Sequence, residues 1–337
     1  MESRAPALKQ TDRALARQRL WTNLAKTALG VTLLAALVFW GRIDLNVLLE
    51  LAAAPWAVAT CLALLFLALP LAALRWGIFL RALGVSIPFV NLFHFVAIGV
   101  LTNVLLLGSA GGDAVRGLYA WRRLAAAAGA SPCRSSPTFA VLFISLAFSL
   151  FYWRQMQQVP ALAALGTSIV VATVAFVAGA CLLFAAPDLT RPIEARLLRW
   201  PMLVNLLAQA RGMILMLRTD PLSLLAAFAL ALATQILTVF AVAVLAGAIK
   251  IGVLNPVDYM FAVPFTLIVN ALPLTPSGIG VGEAAFDQIC RWLEPTPSGA
   301  AYSSIFFAFR VVSTLTCIPG LISLAIYRNA ARSHPPQ

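Results

Sequence analysis

Long uncharged apolar runs constrain this chain more than any other feature. Runs such as Ala53 to Leu74 and Leu222 to Ile249 contain no charged residue. A bilayer core about 30 Å thick is crossed by a helix of roughly 20 apolar residues, so each run is long enough to span it. The runs lack the alternation of barrel strands, and we therefore predict an all-α polytopic integral membrane protein with about six to eight transmembrane helices.

Composition supports the same class. The chain has 337 residues, of which 61% are hydrophobic and 11% charged, and a water-soluble fold of this length could not cover so much apolar surface. The formal net charge is +12, but the lysines and arginines lie between apolar runs and form no separate basic domain. This distribution indicates contacts with lipid headgroups and membrane orientation, and we expect no nucleic-acid partner.

The usual residues of metal and hydrolytic sites are scarce. The five cysteines have no C-x-x-C spacing, and the two histidines, His94 and His334, are far apart in the sequence. No phosphate-binding G-x-x-x-x-G-K-[ST] segment occurs. We therefore expect no metal, no cofactor, no ATP hydrolysis and no enzymatic activity.

The charge pattern predicts the domain organisation. A basic tail covers residues 1–23, one transmembrane domain covers residues 24–328, and a short tail covers residues 329–337. Within the domain, residues 188–220 mix arginines with leucines and tryptophan, which is typical of an amphipathic helix at the interface. The positive-inside rule places both tails in the cytoplasm.

Two glycine-rich segments interrupt apolar stretches, Gly108 to Arg116 and Thr275 to Phe286. If both stretches crossed the membrane once, the basic segment from Arg116 to Arg134 would lie outside, against the positive-inside rule. We therefore predict two re-entrant elements that enter from opposite faces in an inverted-repeat arrangement, with about six full crossings. A similar order of residues around the two segments supports the repeat, although matches this short also arise by chance.

Broken helices at membrane depth are tolerated where they line a cavity or are buried in protein. Glycine allows a sharp turn and lets a ligand approach backbone N–H groups. The predicted substrate-binding residues are Asn103, Gly111, Gly112, Asp113, Arg116, Asn270, Ser277, Gly278, Gly280, Gly282, Glu283 and Arg310. The alternative is that the glycines allow close helix packing and that Asn103, Asn270 and Ser277 bind neighbouring backbone.

Charged residues in these segments need partners. Arg310 lies inside the apolar run FFAFRVVSTLT, where we expect it to pair with Glu283 or with a lipid phosphate. The alternative partner is a helix-end carbonyl. For Glu283 the alternative role is to cap the helix that starts near Ala284. Asp113 and Arg116, three residues apart, can share a polar ligand or form a surface ion pair.

These segments resemble the flippase-like transmembrane family, also described as the transmembrane region of lysylphosphatidylglycerol synthases. The similar pieces are Leu71 to Gly84, Thr102 to Arg123, and Asn270 to Phe286, followed by Arg310 and Gly320 in the last span. The resemblance implies a bacterial cytoplasmic (inner) membrane protein that moves or supplies polar lipids. The soluble aminoacyl-transfer domain of the full-length synthases is absent from this sequence, so lysyl transfer is not implied.

The chain departs from the family pattern in two places. The first motif lacks the usual proline before its glycines, and the next span, AVLFISLAFSL, lacks the usual Asp-Arg pair. These departures leave open a substrate different from that of other family members.

We expect a translocase of a polar phospholipid or lipid-linked glycan, with Arg310 and Arg116 holding the headgroup phosphate, Asp113 and Glu283 orienting those arginines, and Glu283 taking up protons. One alternative is a membrane transferase that modifies a lipid headgroup with Asp113 as base. Another is an anchor for a separate lipid-modifying enzyme.

Overall fold

The computed structural model describes residues 28–82, 86–105, 220–249, 254–271, 275–294 and 299–333, with single positions at 25 and 251 and scattered ones between 160 and 178. These residues contain helices and no strand. The labelled helices are α1 (Ala28–Phe39), α2 (Val47–Ala53), α3 (Pro55–Ala82), α4 (Phe89–Leu105), α5 (Pro221–Ile249), α6 (Pro256–Ala271), α7 (Val281–Leu293), α8 (Ser303–Thr314) and α9 (Ile318–Ser333). The predicted all-α membrane class is confirmed.

Three stretches of the described chain are long and apolar enough to cross a bilayer: Pro55–Arg81, Pro221–Ile249 and Ser303–Ile326. The last one consists of α8, a single 3₁₀ turn at Leu315–Cys317, and the first half of α9. By contrast, α4 has 17 residues and α6 has 16. At 1.5 Å per residue each is only about 25 Å long, so neither readily completes a crossing.

The α8–α9 span shows how the shorter helices are oriented. Asp287 of α7 accepts a hydrogen bond from the backbone N–H of Ser303, where α8 begins. At the other end, His94 of α4 lies 2.8 Å from the hydroxyl of Ser323 in α9. We call the two ends of the bundle the Ser303 side and the Ser333 side.

Helices α6 and α7 form a hairpin that opens toward the Ser303 side. Tyr259, near the start of α6, stacks on Phe286 in α7 with ring centroids 6.2 Å apart. The connecting turn, Thr275 to Gly280, contacts Arg310 in the α8–α9 span. We call this turn the tip. Both arms therefore enter from one side, which is the geometry predicted for the second re-entrant element.

Helix α4 approaches the tip from the Ser333 side. Near its start, His94 contacts Ser323, and near its end the carbonyl oxygen of Asn103 accepts a hydrogen bond from the Ser277 hydroxyl at 3.1 Å. Between these points, a Cβ at Gly320 would lie 2.4 Å from the carbonyl oxygen of Ala97, so only glycine lets α9 approach α4 so closely. Two half-length elements thus meet end to end inside the bundle.

Several predicted features lie outside the described residues. They are the first glycine-rich segment at 108–116, the basic segment that follows it, nearly all of the amphipathic segment at 188–220, and the N-terminal tail at 1–23. The inverted repeat therefore stays a prediction, and the described residues show only the opposed approach of α4 and the α6–α7 hairpin.

The main core lies between α2, α3, α5, α6, α7 and α8. At its centre Phe286 stacks on Phe306 with ring centroids 5.3 Å apart. Helix α5 begins after Asp220, whose carboxylate accepts the backbone N–H of Ser223 at 3.0 Å as a helix cap. The hydrogen bonds from the Ser223 side chain and backbone lower the pKa of Asp220. The core packing around Phe286 and Phe306 holds the α6–α7 hairpin against the complete spans.

Candidate functional site

The guanidinium of Arg310 binds the tip and the first turn of α7, and each of its three nitrogens donates a hydrogen bond. Nε donates to Glu283 Oε1 at 2.5 Å, and Nη1 donates to the carbonyl oxygen of Ser277 at 2.8 Å. Nη2 lies 3.2 Å from the carbonyl oxygen of Gly278 and 3.5 Å from Asn270 Oδ1. Of the three partners considered from sequence, the Glu283 carboxylate and backbone carbonyls beside a helix end are present at once, and binding of a lipid phosphate stays a prediction. Arg310 stabilises the sharp turn of the tip, and the carbonyl oxygens that this turn exposes compensate the charge of Arg310.

Glu283 is the most deeply buried charged group of the site, with a side chain that is 0% exposed. Its Oε1 pairs with Arg310, and its Oε2 accepts the backbone N–H of Gly280 at 2.8 Å. Helix α7 begins at Val281 and not near Ala284 as the sequence suggested, so Glu283 sits in its first turn. The carboxylate therefore combines the two proposed roles, as ion-pair partner and as helix cap.

Glycines let the tip fold into this small space. Gly278 has φ of +68°, and a Cβ there would lie 1.5 Å from Asn270 Oδ1. Gly280 has φ of +79° and packs against Leu33 in α1, while a Cβ at Gly282 would lie 2.9 Å from Arg310 Nη2. The packing explanation therefore applies to all three glycines, because side chains at Gly278 and Gly282 would collide with the site and one at Gly280 would collide with α1.

The polar residues of the second motif meet those at the end of α4. Asn270, Ser277, Gly278, Gly280, Gly282, Glu283 and Arg310 form one cluster, and Asn103 joins it through its carbonyl oxygen. Ser277 adopts a left-handed conformation with φ of 53°, which turns its carbonyl toward Arg310 and its hydroxyl toward α4. Gly111, Gly112, Asp113 and Arg116 lie outside the described residues, so their predicted roles stay predictions.

A second polar cluster lies nearer the Ser303 side and was not anticipated from the sequence. Asp287 Oδ2 accepts from Arg291 Nε at 2.8 Å and from Arg42 Nη1 at 3.3 Å. The Ser303 hydroxyl donates to the carbonyl oxygen of Arg42, and Ser304 Oγ accepts the backbone N–H of Asp44 at 2.8 Å. We call Arg42, Asp287, Arg291, Ser303 and Ser304 the rim cluster.

One sequence signal could have revealed the rim cluster. Asp287 follows Glu283 by four residues, so both carboxylates lie on one face of α7, and Arg291 extends that face by another turn. The partner Arg42 lies 245 positions away along the chain, and the sequence gives no indication of that contact. The structure shows that α7 joins the loop after α1 to the start of α8.

The arrangement suits a polar ligand in an apolar bundle. Arg310 retains 22% side-chain exposure, although each of its nitrogens already has an acceptor. An incoming phosphate oxygen could bind the guanidinium by replacing one of these acceptors, since an arginine fork accommodates phosphate and carboxylate alike. The site can therefore exchange anionic partners, and it contains no group of three or more metal-ligating side chains within the described residues.

Comparison with known proteins gives one family. The family model described as "Lysylphosphatidylglycerol synthase TM region" matches residues 27–320. Searches of curated proteins and of solved structures found no match.

Proposed function

Because the chain belongs to the lysylphosphatidylglycerol synthase transmembrane-region family, we propose that it translocates a polar phospholipid or lipid-linked glycan across the membrane. The family supports a membrane protein that handles lipid headgroups. Translocation goes beyond what the family supports, and we argue it from the site around Arg310 and Glu283.

The observation that carries the proposal is the meeting of two half-length elements at a buried ion pair. Helix α4 arrives from one side and the α6–α7 hairpin from the other, and their ends are joined by the hydrogen bond from Ser277 to Asn103. The pair of Arg310 and Glu283 lies at this junction. Charged groups inside a membrane bundle are costly and mark ligand or ion pathways in many transporters.

Partner exchange at Arg310 gives the mechanism. A headgroup phosphate that reaches the tip competes with Glu283 for the guanidinium fork. Glu283, once displaced, still accepts the N–H of Gly280 while the phosphate holds Arg310. Arg310 thus releases Glu283 when the phosphate binds, and it binds Glu283 again when the phosphate leaves. Net movement of the lipid follows the lipid gradient or the proton gradient.

Charge asymmetry supports an orientation. The described charged residues toward the Ser303 side are mostly acidic: Asp44, Glu50, Asp258, Asp287 and Glu294, against Arg42 and Arg291. Those toward the Ser333 side are mostly basic: Arg75, Arg81, Arg328 and Arg332, against Asp220. By the positive-inside rule the Ser333 side faces the cytoplasm of a bacterial cell, so that α4 enters from the cytoplasm and the α6–α7 hairpin enters from outside.

The test is a lipid-translocation assay in liposomes. Purified protein is reconstituted with headgroup-labelled phosphatidylglycerol, and the rate at which inner-leaflet label becomes accessible to a membrane-impermeant quencher is measured. The informative variant is Arg310→Lys, which keeps the charge but cannot form the bidentate fork. The matched control is Thr60→Ala, because the Thr60 hydroxyl is exposed and bonds only the Trp56 carbonyl of its own helix.

We expect wild-type protein and Thr60→Ala to accelerate exposure of the label, and Arg310→Lys to slow it at least tenfold while remaining monodisperse in detergent. Equal rates for protein-free and wild-type liposomes, with phosphatidylglycerol and with a lipid-linked glycan, would contradict translocation. A change in the mass of the lipid would instead favour the transferase, and co-purification of a lipid-modifying enzyme would favour the anchor.

A further inference from the structure

The amide of Gln235 is an unexplained polar group in the middle of an apolar span. Gln235 lies in α5, whose other 28 residues include no charged side chain. The residue is 7% exposed. Its Nε2 has no hydrogen-bond partner, and it is the only such buried side-chain atom found in the part of the chain that the structure describes.

An unpaired amide is unfavourable in this environment. Burying an amide without a hydrogen bond carries a desolvation cost, and a leucine of similar volume would avoid that cost. The buried face of α5 runs through Ala227, Ala231, Gln235, Val239 and Val242, so Gln235 takes the place of an apolar residue in a regular stripe. Such a group needs a partner other than the helices that surround it.

Gln235 lies one turn farther toward the Ser333 side than the α5 residues of the main core. Helix α5 ends at Ile249 on the Ser303 side, where it packs with Val47 of α2. Val239 belongs to the same core cluster as Phe309 and Val312, the neighbours of Arg310 in sequence. Gln235 is four residues before Val239, or about 6 Å farther toward the Ser333 side. That is the side from which α4 reaches the tip.

We propose that the Gln235 amide donates a hydrogen bond to a phosphate oxygen of the lipid headgroup as the headgroup approaches the tip from the Ser333 side. Gln235 is then a binding residue that receives the phosphate before Arg310 does. The proposal names a substrate contact for the translocation proposed above and rests on it, but the binding step can be measured separately.

A phosphate oxygen is a better acceptor for the Gln235 amide than the oxygen of an uncharged group. A hydrogen bond to an ionised acceptor is roughly twice as strong as one between neutral groups. An uncharged donor also leaves no unpaired charge in the bundle when the site is empty, whereas a second arginine would. A glutamine therefore stabilises a passing phosphate at a modest cost to the empty protein.

The experiment compares Gln235→Leu with wild type in two measurements on purified full-length protein. The first is the melting temperature in lipid-free detergent. The second is the increase in that temperature during titration with phosphatidylglycerol, and with diacylglycerol of the same acyl chains, which lacks the phosphate. The matched control is Thr238→Val in the same helix, because the Thr238 hydroxyl bonds the Thr234 carbonyl at 3.0 Å.

We expect Gln235→Leu to melt a few degrees higher than wild type without lipid, since an unpaired donor is removed. We also expect its apparent affinity for phosphatidylglycerol to fall about tenfold or more, the loss of one hydrogen bond to a charged group. Its response to diacylglycerol should be unchanged, and Thr238→Val should bind phosphatidylglycerol as wild type does.

Three results would overturn the proposal: a lower melting temperature for Gln235→Leu, unchanged phosphatidylglycerol affinity, or an equal loss with both lipids. The liposome assay separates this proposal from the function. If wild-type protein fails to move lipid while Gln235→Leu still loses phosphatidylglycerol binding, translocation is wrong and the binding residue stands. If translocation occurs and binding is unaffected by the substitution, only the role of Gln235 is wrong.

Discussion

Two carboxylates one turn apart on α7 hold arginines in different surroundings. Glu283 is fully buried, and its partner Arg310 donates to it through Nε and to the tip through both Nη atoms. Asp287 is also buried, but one of its partners, Arg42, is 41% exposed and makes a single contact with it at 3.3 Å. The tip pair lies inside the bundle, and the rim cluster lies where one arginine can still be hydrated.

This difference shows why similar ion pairs have different consequences. Removing one partner of a buried pair leaves an uncompensated charge and costs several kcal/mol, whereas an exposed pair contributes little because water solvates either partner. We therefore expect the tip to determine whether the α6–α7 hairpin folds. The rim cluster should adjust how firmly that hairpin is held to the loop after α1.

The largest expected effect is at Arg310. Substitution Arg310→Met leaves Glu283 buried without its cation, and we expect a loss of roughly 3–5 kcal/mol in the free energy of unfolding. The measurement is thermal unfolding in detergent together with the yield of monodisperse protein. Adding Glu283→Gln to Arg310→Met should recover part of the loss, because the orphaned charge is then removed. A double variant less stable than the single one would contradict the ion-pair explanation.

A smaller effect is expected at the tip glycine. A methyl group at Gly278 would meet Asn270 Oδ1, and the φ of +68° disfavours any side chain. We expect Gly278→Ala to cost roughly 1–3 kcal/mol. The matched control is Gly247→Ala in α5, where a Cβ would have nothing within 4 Å. That change should be neutral or stabilising, since alanine favours helix by roughly 1 kcal/mol. Similar losses in both variants would mean that the tip is not specially crowded.

The hydrogen bond between α4 and the tip should contribute less to stability than the absence of a side chain at Gly278. Ser277→Ala removes the hydrogen bond to the Asn103 carbonyl but leaves the Ser277 carbonyl for Arg310. A loss of about 0.5–1.5 kcal/mol is expected. Crosslinking of a cysteine pair placed in α4 and the tip would report whether the two ends separate. Unchanged stability and unchanged crosslinking would show that α4 and the tip do not depend on this bond.

The smallest effect is expected at the rim. Arg42→Gln should change the stability by roughly 0–1 kcal/mol, because Arg42 is partly hydrated and Arg291 still pairs with Asp287. The difference from wild type should shrink further at high salt. Melting temperatures measured at low and high sodium chloride concentrations test this. A loss as large as that of Arg310→Met would remove the distinction between tip and rim.

Individual residues differ in how well their contacts could be predicted from the sequence. Arg310 and Glu283 could be paired in advance because each is a charge in an apolar run and needs a partner at the same depth. Asp287 was not singled out, because a charged residue four positions along α7 is equally consistent with a solvated helix face. Gln235 was also not singled out, because a neutral side chain in an apolar run does not show whether a partner exists.

The sequence by itself determined that this protein is a helical membrane protein and that two glycine-rich interruptions need a structural reason, because backbone satisfaction in lipid allows few alternatives. Only the tertiary structure decided that α4 and the α6–α7 hairpin meet end to end, that Arg310 is bound through all its nitrogens, and that Gln235 is left unpaired. These facts depend on contacts between residues far apart in the chain. Local patterns determine which helices form, but the packing of those helices determines which polar groups find partners.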